Sequence, residues 1–213
     1  QAPPQLANPF SGDRVLRSYL RRTLPPALLD TLENEAMALG ELVKDLYPQQ
    51  LQAIDQQPRL VQWDAWGNRI DRIELAPYWE QMPEIAARFG LVAHGYDKEK
   101  GAHARVYQFT LVYLYAAASE FYGCPLAMTD GATRALLETT NHRLIDRAVP
   151  HFLAREAEGL WTSGQWMTET TGGSDVSGSE TIASRDDQGQ WRIYGRKWFT
   201  SATTSEATLL LAR

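Results

Sequence analysis

Thiols, histidines, positive charge and long apolar runs are all scarce in this sequence, and each scarcity removes a class of function. Cys124 is the only cysteine among 213 residues, which excludes an internal disulfide framework and any site built on several thiolates. The four histidines are scattered without ligand spacing, so no metal site is expected. Lys and Arg number 21 against 26 Asp and Glu, a formal net charge of -5. Such a chain offers no general grip on a phosphate backbone, and nucleic-acid binding is not supported by this segment. The uncharged stretch from Val106 to Ser119 is shorter than the ~20 apolar residues a bilayer span requires. The opening QAPPQLANPF, which begins without Met, has neither a charged-then-apolar signal pattern nor an Arg/Ser-rich transit pattern. With a lone cysteine, a reducing compartment fits best, and the expected location is the cytoplasm.

What remains is ordinary globular material, 44% hydrophobic and 22% charged, with enough apolar side chains to bury a core. After Pro25-Pro26, the spacing of Leu28, Leu29, Leu32, Ala36, Leu39, Leu42, Val43 and Leu46 predicts an amphipathic helix over 27–46. Residues 60–74 read as a small hairpin around Asp64-Ala65-Trp66-Gly67-Asn68, where Gly and Asn allow a reversal. Helices are predicted over 77–89 and 102–122, the second apolar almost all round. Asp130 is read as capping a helix over 131–140, and Ile145, Ala148, Val149, Phe152 and Leu153 mark another that ends near Glu158-Gly159.

Beyond Gly159 the pattern turns to strands at 160–169, 181–185, 190–201 and 207–212, with a turn at Asp187-Gln188-Gly189. The expected fold is α+β: an N-terminal all-α domain over 1–158, then the start of an antiparallel β domain over 159–213. So few strands leave open edges and bury one face, so this second domain is expected to need more chain before it is stable.

Two stretches carry chemistry. Gln165 to Asp175 is a strand running into a loop with Gly172 and Gly173, flanked by the hydroxyls of Thr168, Thr170, Thr171 and Ser174. Alone, it fits either a phosphate cradle, in which glycines let N–H groups approach an anion, or a solvated hairpin loop. Tyr194 to Ser201 places Trp198 and Phe199 ahead of two hydroxyls. Alone, those aromatics fit a core.

Taken together, T-E-x-x-x-G-S-D at 168–175 and G-x-K-W-F-x-S at 195–201 resemble the paired signature of the acyl-CoA dehydrogenase family. The resemblance implies a bound FAD. Met167 and Thr168 match the segment at the flavin N1/O2 edge, where donors stabilise the reduced ring. Gly173 and Ser174 match the loop near the FAD pyrophosphate, with Ser174 also near the pantetheine arm of an acyl-CoA substrate. Phe199 matches the aromatic that stacks on the isoalloxazine, and Ser201 the hydroxyl that meets N5. Thr170-Thr171 stands where Pro and a small residue are frequent, and Ala202 replaces the usual Asn. The hairpin with Trp63, Trp66 and Asp71, the later Pro77-Tyr78-Trp79 and Met167-Thr168-Glu169 are similar to the AidB-like branch.

The family implies α,β-dehydrogenation of an acyl-CoA or other fatty acyl thioester, in a homo-oligomer of two or four subunits. The base is expected in a C-terminal helical domain, so no catalytic residue is assigned among Glu33, Glu35, Glu41, Glu156, Glu158 and Glu169. The chain alone is expected to be inactive and to need the missing C-terminal half. The alternative is an AidB-like flavoprotein with weak or no dehydrogenase activity, acting in the alkylation response or binding acyl groups or DNA.

Overall fold

A computed structural model describes residues 5–213, and the chain resolves into two compact units. The first runs to Cys124 and takes in Leu153–Leu160; the second joins Pro125–Phe152 to Trp161–Arg213. The class is α+β, helices first and strands concentrated after residue 160.

Two helices in the first unit precede the first one expected. Asn8 accepts hydrogen bonds from the N–H groups of Phe10 (3.0 Å) and Ser11 (3.2 Å) and starts α1, Pro9–Gly12. Asp13 accepts from Leu16 N–H at 2.8 Å and starts α2, Arg14–Thr23. Each cap supplies an acceptor for a first-turn donor that has no helical partner. The expected amphipathic helix is α3, Pro26–Ala53. It continues through Pro48 past the fading of its periodicity at Leu46, and Gln50 Nε2 donates to the Ala117 carbonyl at 3.2 Å along this added length. Leu32, Ala36, Leu39 and Val43 are buried on one stripe of α3, which packs against α1 and against α6, Ala104–Ala116.

The hairpin forms as expected, β1 (Arg59–Trp63) antiparallel to β2 (Arg69–Glu74), with Asp64 accepting from Trp66 and Asn68 N–H across the turn. The single helix expected over 77–89 is two: α4 (Pro77–Glu80) and α5 (Met82–Arg88). Pro83 has no N–H to continue the ladder, and the break falls at Gln81 just before it. The helix expected over 102–122 ends at Ala116, and it cannot run on to 122 because Glu120 and Phe121 adopt left-handed backbone with φ of 44° and 67°.

That early end also displaces the next helix. α7 spans Gly123–Leu137, so Asp130 lies inside it and not at a helix start. Pro125 sits in its first turn, where a missing N–H costs no ladder bond. α8, His142–Phe152, starts with Asn141 accepting from Leu144 N–H at 3.2 Å and stops well before residue 158; Ala157–Gly159 form only a short 3-10 turn.

The second unit combines α7 and α8 with short strands. β3 (Ser163–Trp166) and β6 (Ala207–Leu210) pair in parallel, Ser163 opposite Ala207 and Trp166 opposite Leu210. β4 (Ile182–Arg185) and β5 (Trp191–Tyr194) form the small antiparallel sheet, closed by a turn in which Gly189 takes φ of 74° and donates to the Asp186 carbonyl. The strand expected over 190–201 therefore stops at Tyr194. Residues 195–201 are irregular, because Phe199 and then Ala202 take φ of 52° and 50°, which no regular strand accommodates. Among the described residues, no helix is long and apolar enough to cross a membrane, and no group of three or more acidic, His or Cys side chains could hold a metal.

Candidate functional site

The two segments that the sequence singles out meet at the end of β3. This strand is anchored at its start by α7. The Ser163 N–H donates to Thr129 Oγ1 at 2.9 Å, and that hydroxyl donates to the Pro125 carbonyl at 2.6 Å, all three residues buried. Past Trp166 the chain leaves the strand through half-buried Met167 and Thr168. The Trp198 N–H donates to the Thr168 carbonyl at 2.9 Å, laying the 195–202 segment against this exit. Trp166 Nε1 donates to the Ser201 carbonyl at 2.9 Å and fastens the same segment further on.

Between these clamps sits a buried ion pair. Glu169 and Gly172 exchange backbone hydrogen bonds of 3.0 and 3.1 Å, folding Thr170-Thr171 outward and the Glu169 side chain in. Its carboxylate accepts from Lys197 Nζ (2.6 Å), Ser179 Oγ (2.5 Å), Thr181 Oγ1 (2.6 Å), Glu180 N–H (2.6 Å) and Thr181 N–H (3.2 Å). The Lys197 and Glu169 side chains are 6% and 5% exposed, so each charge depends on the other. The Lys197 ammonium, followed by the two hydroxyls and the Glu180 N–H, holds the Glu169 carboxyl far below the usual carboxylate range. Its lone pairs are committed to its own loop, which removes it as a proton acceptor for a substrate.

Close packing fixes the two segments. A Cβ on Gly195 would lie 2.4 Å from Thr181 Oγ1 and 2.8 Å from Thr181 Cα, so only glycine fits there. The sequence-predicted residues fall around this frame. Met167 and Thr168 lie at the strand exit. Gly173 packs on the Thr168 side chain, where a Cβ would come within 3.2 Å of Cγ2. Ser201 is tied to Trp166, and Phe199 stands 84% exposed beside Trp198, their rings edge to face at 5.8 Å. Ser174 lies on the exposed run after Gly173, and among the described residues no hydrogen bond joins it to the other five.

A large aromatic held out on left-handed backbone is costly twice over, in strain and in exposed apolar area. It presents a flat apolar face next to the strand exit at Thr168, to which the Trp198 N–H ties its segment. Sequence reasoning missed Thr129, Ser179, Thr181 and Lys197. For Lys197 a signal existed, since a lone Lys and a lone Glu recur in the paired motif; for Thr129, 34 residues from its partner, none did.

The family model described as the adaptive response protein AidB N-terminal domain matches residues 1–158. The chain belongs to the acyl-CoA dehydrogenase family, in its AidB-like branch. A second model, the acyl-CoA dehydrogenase middle domain, matches residues 164–213, the part that holds both loops. All of the chain aligns with acyl-CoA dehydrogenase family member 11 of Caenorhabditis elegans, 35% identical, and 73% of it with the putative acyl-CoA dehydrogenase AidB of Escherichia coli K12, 31% identical. It spans about a third of these relatives' length, 36% and 30%. Two solved structures superpose over all of it. One is Bd2924 in its apo form (TM-score 0.93, 44% identical, 44% of that chain), and the other is C. elegans ACDH-11 in complex with C11-CoA (TM-score 0.92, 35% identical, 37% of that chain).

Proposed function

We propose that this chain carries the flavin-facing part of an FAD-dependent acyl-CoA dehydrogenase-like enzyme. The observation that supports it most is Phe199: an exposed ring on left-handed backbone, next to a strand exit whose donors and glycines are fixed by the buried Glu169–Lys197 pair. These residues fit a planar cofactor that is apolar on its faces and polar on its edges. Bound there, FAD would supply the hydride acceptor for α,β-dehydrogenation of an acyl-CoA thioester.

The chain's own residues divide the holding of that cofactor. Met167 and Thr168 address the N1/O2 edge of the flavin, Gly173 and Ser174 the pyrophosphate, Phe199 the ring face, and the Ser201 hydroxyl N5. The Glu169–Lys197 pair touches none of these groups and acts by holding Thr168 and the 195–202 segment in register. Ser174, exposed on its loop, also addresses the pantetheine arm of the acyl-CoA. The acyl-CoA ligand class is supported by the relative solved with C11-CoA. No carboxylate of this chain is assigned as the base that takes the substrate's α-proton. The same reading takes 1–158 as an N-terminal helical domain and 159–213 as the first part of the middle β domain, in a cytoplasmic homo-oligomer; the matched ranges support that division.

A second reading, an AidB-like flavoprotein with little or no dehydrogenase activity, draws on the N-terminal match over 1–158 and on Ala202 in place of the usual Asn. Both readings require a flavin, and anaerobic bleaching of the full-length protein by acyl-CoAs separates them. Phe199→Ala is expected to weaken FAD retention by about 1–2 kcal/mol, roughly 5- to 30-fold. Ser201→Ala is expected to shift the flavin reduction potential more than the affinity. A full-length protein that stays colourless and takes up no added FAD would sink both readings.

A further inference from the structure

Away from the flavin-facing loops, the first unit contains a cavity of about 290 Å³, where the end of α3, the start and end of the β1–β2 hairpin, α4 and the turn before α7 converge. Its walls are mostly apolar and aromatic, among them Ile54, Leu75, Tyr78, Trp79 and Phe121; the polar side chains on the lining are the uncharged amides of Gln56 and Gln57 and the one carboxylate, Glu120. Trp79 is oriented by an edge-to-face contact with Tyr122 at 5.1 Å. The Tyr78 hydroxyl is already spent, donating to the Ala118 carbonyl at 2.7 Å. Glu120 lines the same cavity as Tyr78 and Trp79, and burial and then the Glu120 charge push the Tyr78 phenol up to about 12.

Three observations combine at the rim. Glu120 has no hydrogen-bond or ion-pair partner among the described residues. Glu120 and Phe121 are consecutive non-glycine residues on left-handed backbone, a rare and strained arrangement that is found at ligand clamps. Phe121 is held 81% exposed at the edge of the cavity, and Ile54 beside it is 63% exposed. An anionic ligand would meet Glu120 as a like charge. A neutral apolar ligand would strip water from the carboxylate and leave it unpaired. A cation with an apolar body satisfies both parts of the lining, because its charge pairs with Glu120 while aromatic faces attract what surrounds it.

We infer that this cavity is a second binding site, for a small organic ammonium ion with an apolar body, in which Glu120 neutralises the charge and Trp79 and Phe121 enclose it. The site lies wholly in the first unit and does not depend on the flavin reading. The test uses the full-length protein and two probes of the same shape, phenyltrimethylammonium and its uncharged isostere tert-butylbenzene, followed by ligand-observed NMR titration. The cation is expected to bind about tenfold or more tightly than the isostere. Glu120→Gln should reduce cation affinity about tenfold while leaving the isostere unaffected. Phe121→Gly suits the left-handed backbone and so should keep or raise thermal stability, yet it should weaken cation binding. Absence of cation binding, equal binding of the two probes, or a Glu120→Gln variant that binds the cation as well as wild type would each overturn the inference.

Discussion

Thr129→Val tests whether the start of β3 is held by one hydroxyl. Thr129 is fully buried, and its Oγ1 is the acceptor at 2.9 Å for the Ser163 N–H, itself on a residue only 1% exposed. Valine has nearly the same shape, so the substitution opens no cavity and isolates the polar effect. The amide of Ser163 then loses its acceptor in a place water does not reach, which costs about 1–3 kcal/mol. Replacing a hydroxyl by a methyl in an apolar surrounding recovers part of this, so the net loss is expected near the lower half of that range, about 1–2 kcal/mol. Urea unfolding should show a lower midpoint at unchanged slope. Hydrogen exchange supplies the specific readout: the Ser163 amide should lose protection in Thr129→Val and keep it in Thr129→Ser, which retains the acceptor. A valine variant as stable as wild type, with Ser163 equally protected, would refute the anchoring argument.

Two further predictions concern the frame around the loops. The Glu169 carboxyl is held below its ordinary value of 4.5 in the folded chain, so its stabilisation is fully present above that value and is lost as pH falls below it. Wild type should therefore lose stability between about pH 5 and pH 3 more steeply than Glu169→Gln, which should already be weaker at neutral pH because Lys197 is left buried and unpaired; equal slopes would count against the pair. Gly195→Ala forces a Cβ to within 2.8 Å of the Thr181 backbone and should cost about 1–3 kcal/mol by thermal unfolding; on the proposed flavin-binding reading, FAD retention by the full-length protein should fall alongside.

The parts of the fold legible in the sequence are those whose cause is local. Pro25-Pro26 ahead of a leucine stripe announces α3. Asp64 to Asn68 announces the first hairpin, and the Asp-Gln-Gly turn at 187–189 the second. What escaped has causes that are remote or that contradict local chemistry. A continuous helix over 102–122 follows from composition, because nothing about Glu120 or Phe121 asks for left-handed backbone; only the packed structure imposes it. Once that break is missed, Asp130 looks like a cap though the helix has already begun at Gly123. α1 and α2 were signalled by Asn8 and Asp13, but helices of 4 and 10 residues give periodicity little length in which to appear. The parallel pairing of β3 with β6 joins segments more than 40 residues apart and leaves no mark in either strand.

The site divides along the same line, and the division says what such a motif encodes. Residues proposed to face a cofactor sit in short contiguous stretches, 167–174 and 199–201, because a planar ligand lies along a few consecutive residues of each strand exit. They can be read as a pattern. The residues that hold those stretches in place are drawn from wherever the chain passes near: Thr129 from α7, Ser179 and Thr181 from the segment before β4, Lys197 from beyond β5. Their effect depends on burial and partner distance, which no spacing rule conveys. Glu169 belongs to both groups by position and to the second by chemistry. Read in sequence, it is a carboxylate of the cofactor loop with no base role assigned; in the structure, five donors and a 5% exposed side chain make it the knot of the loop. On the proposed flavin-binding reading, a substitution at Glu169 would therefore act by disordering Thr168 and the segment at 197–201, with loss of flavin and of stability together. A residue that moved protons would instead leave flavin binding and folding intact while turnover fell, and measuring the three side by side on Glu169→Gln tells the two apart.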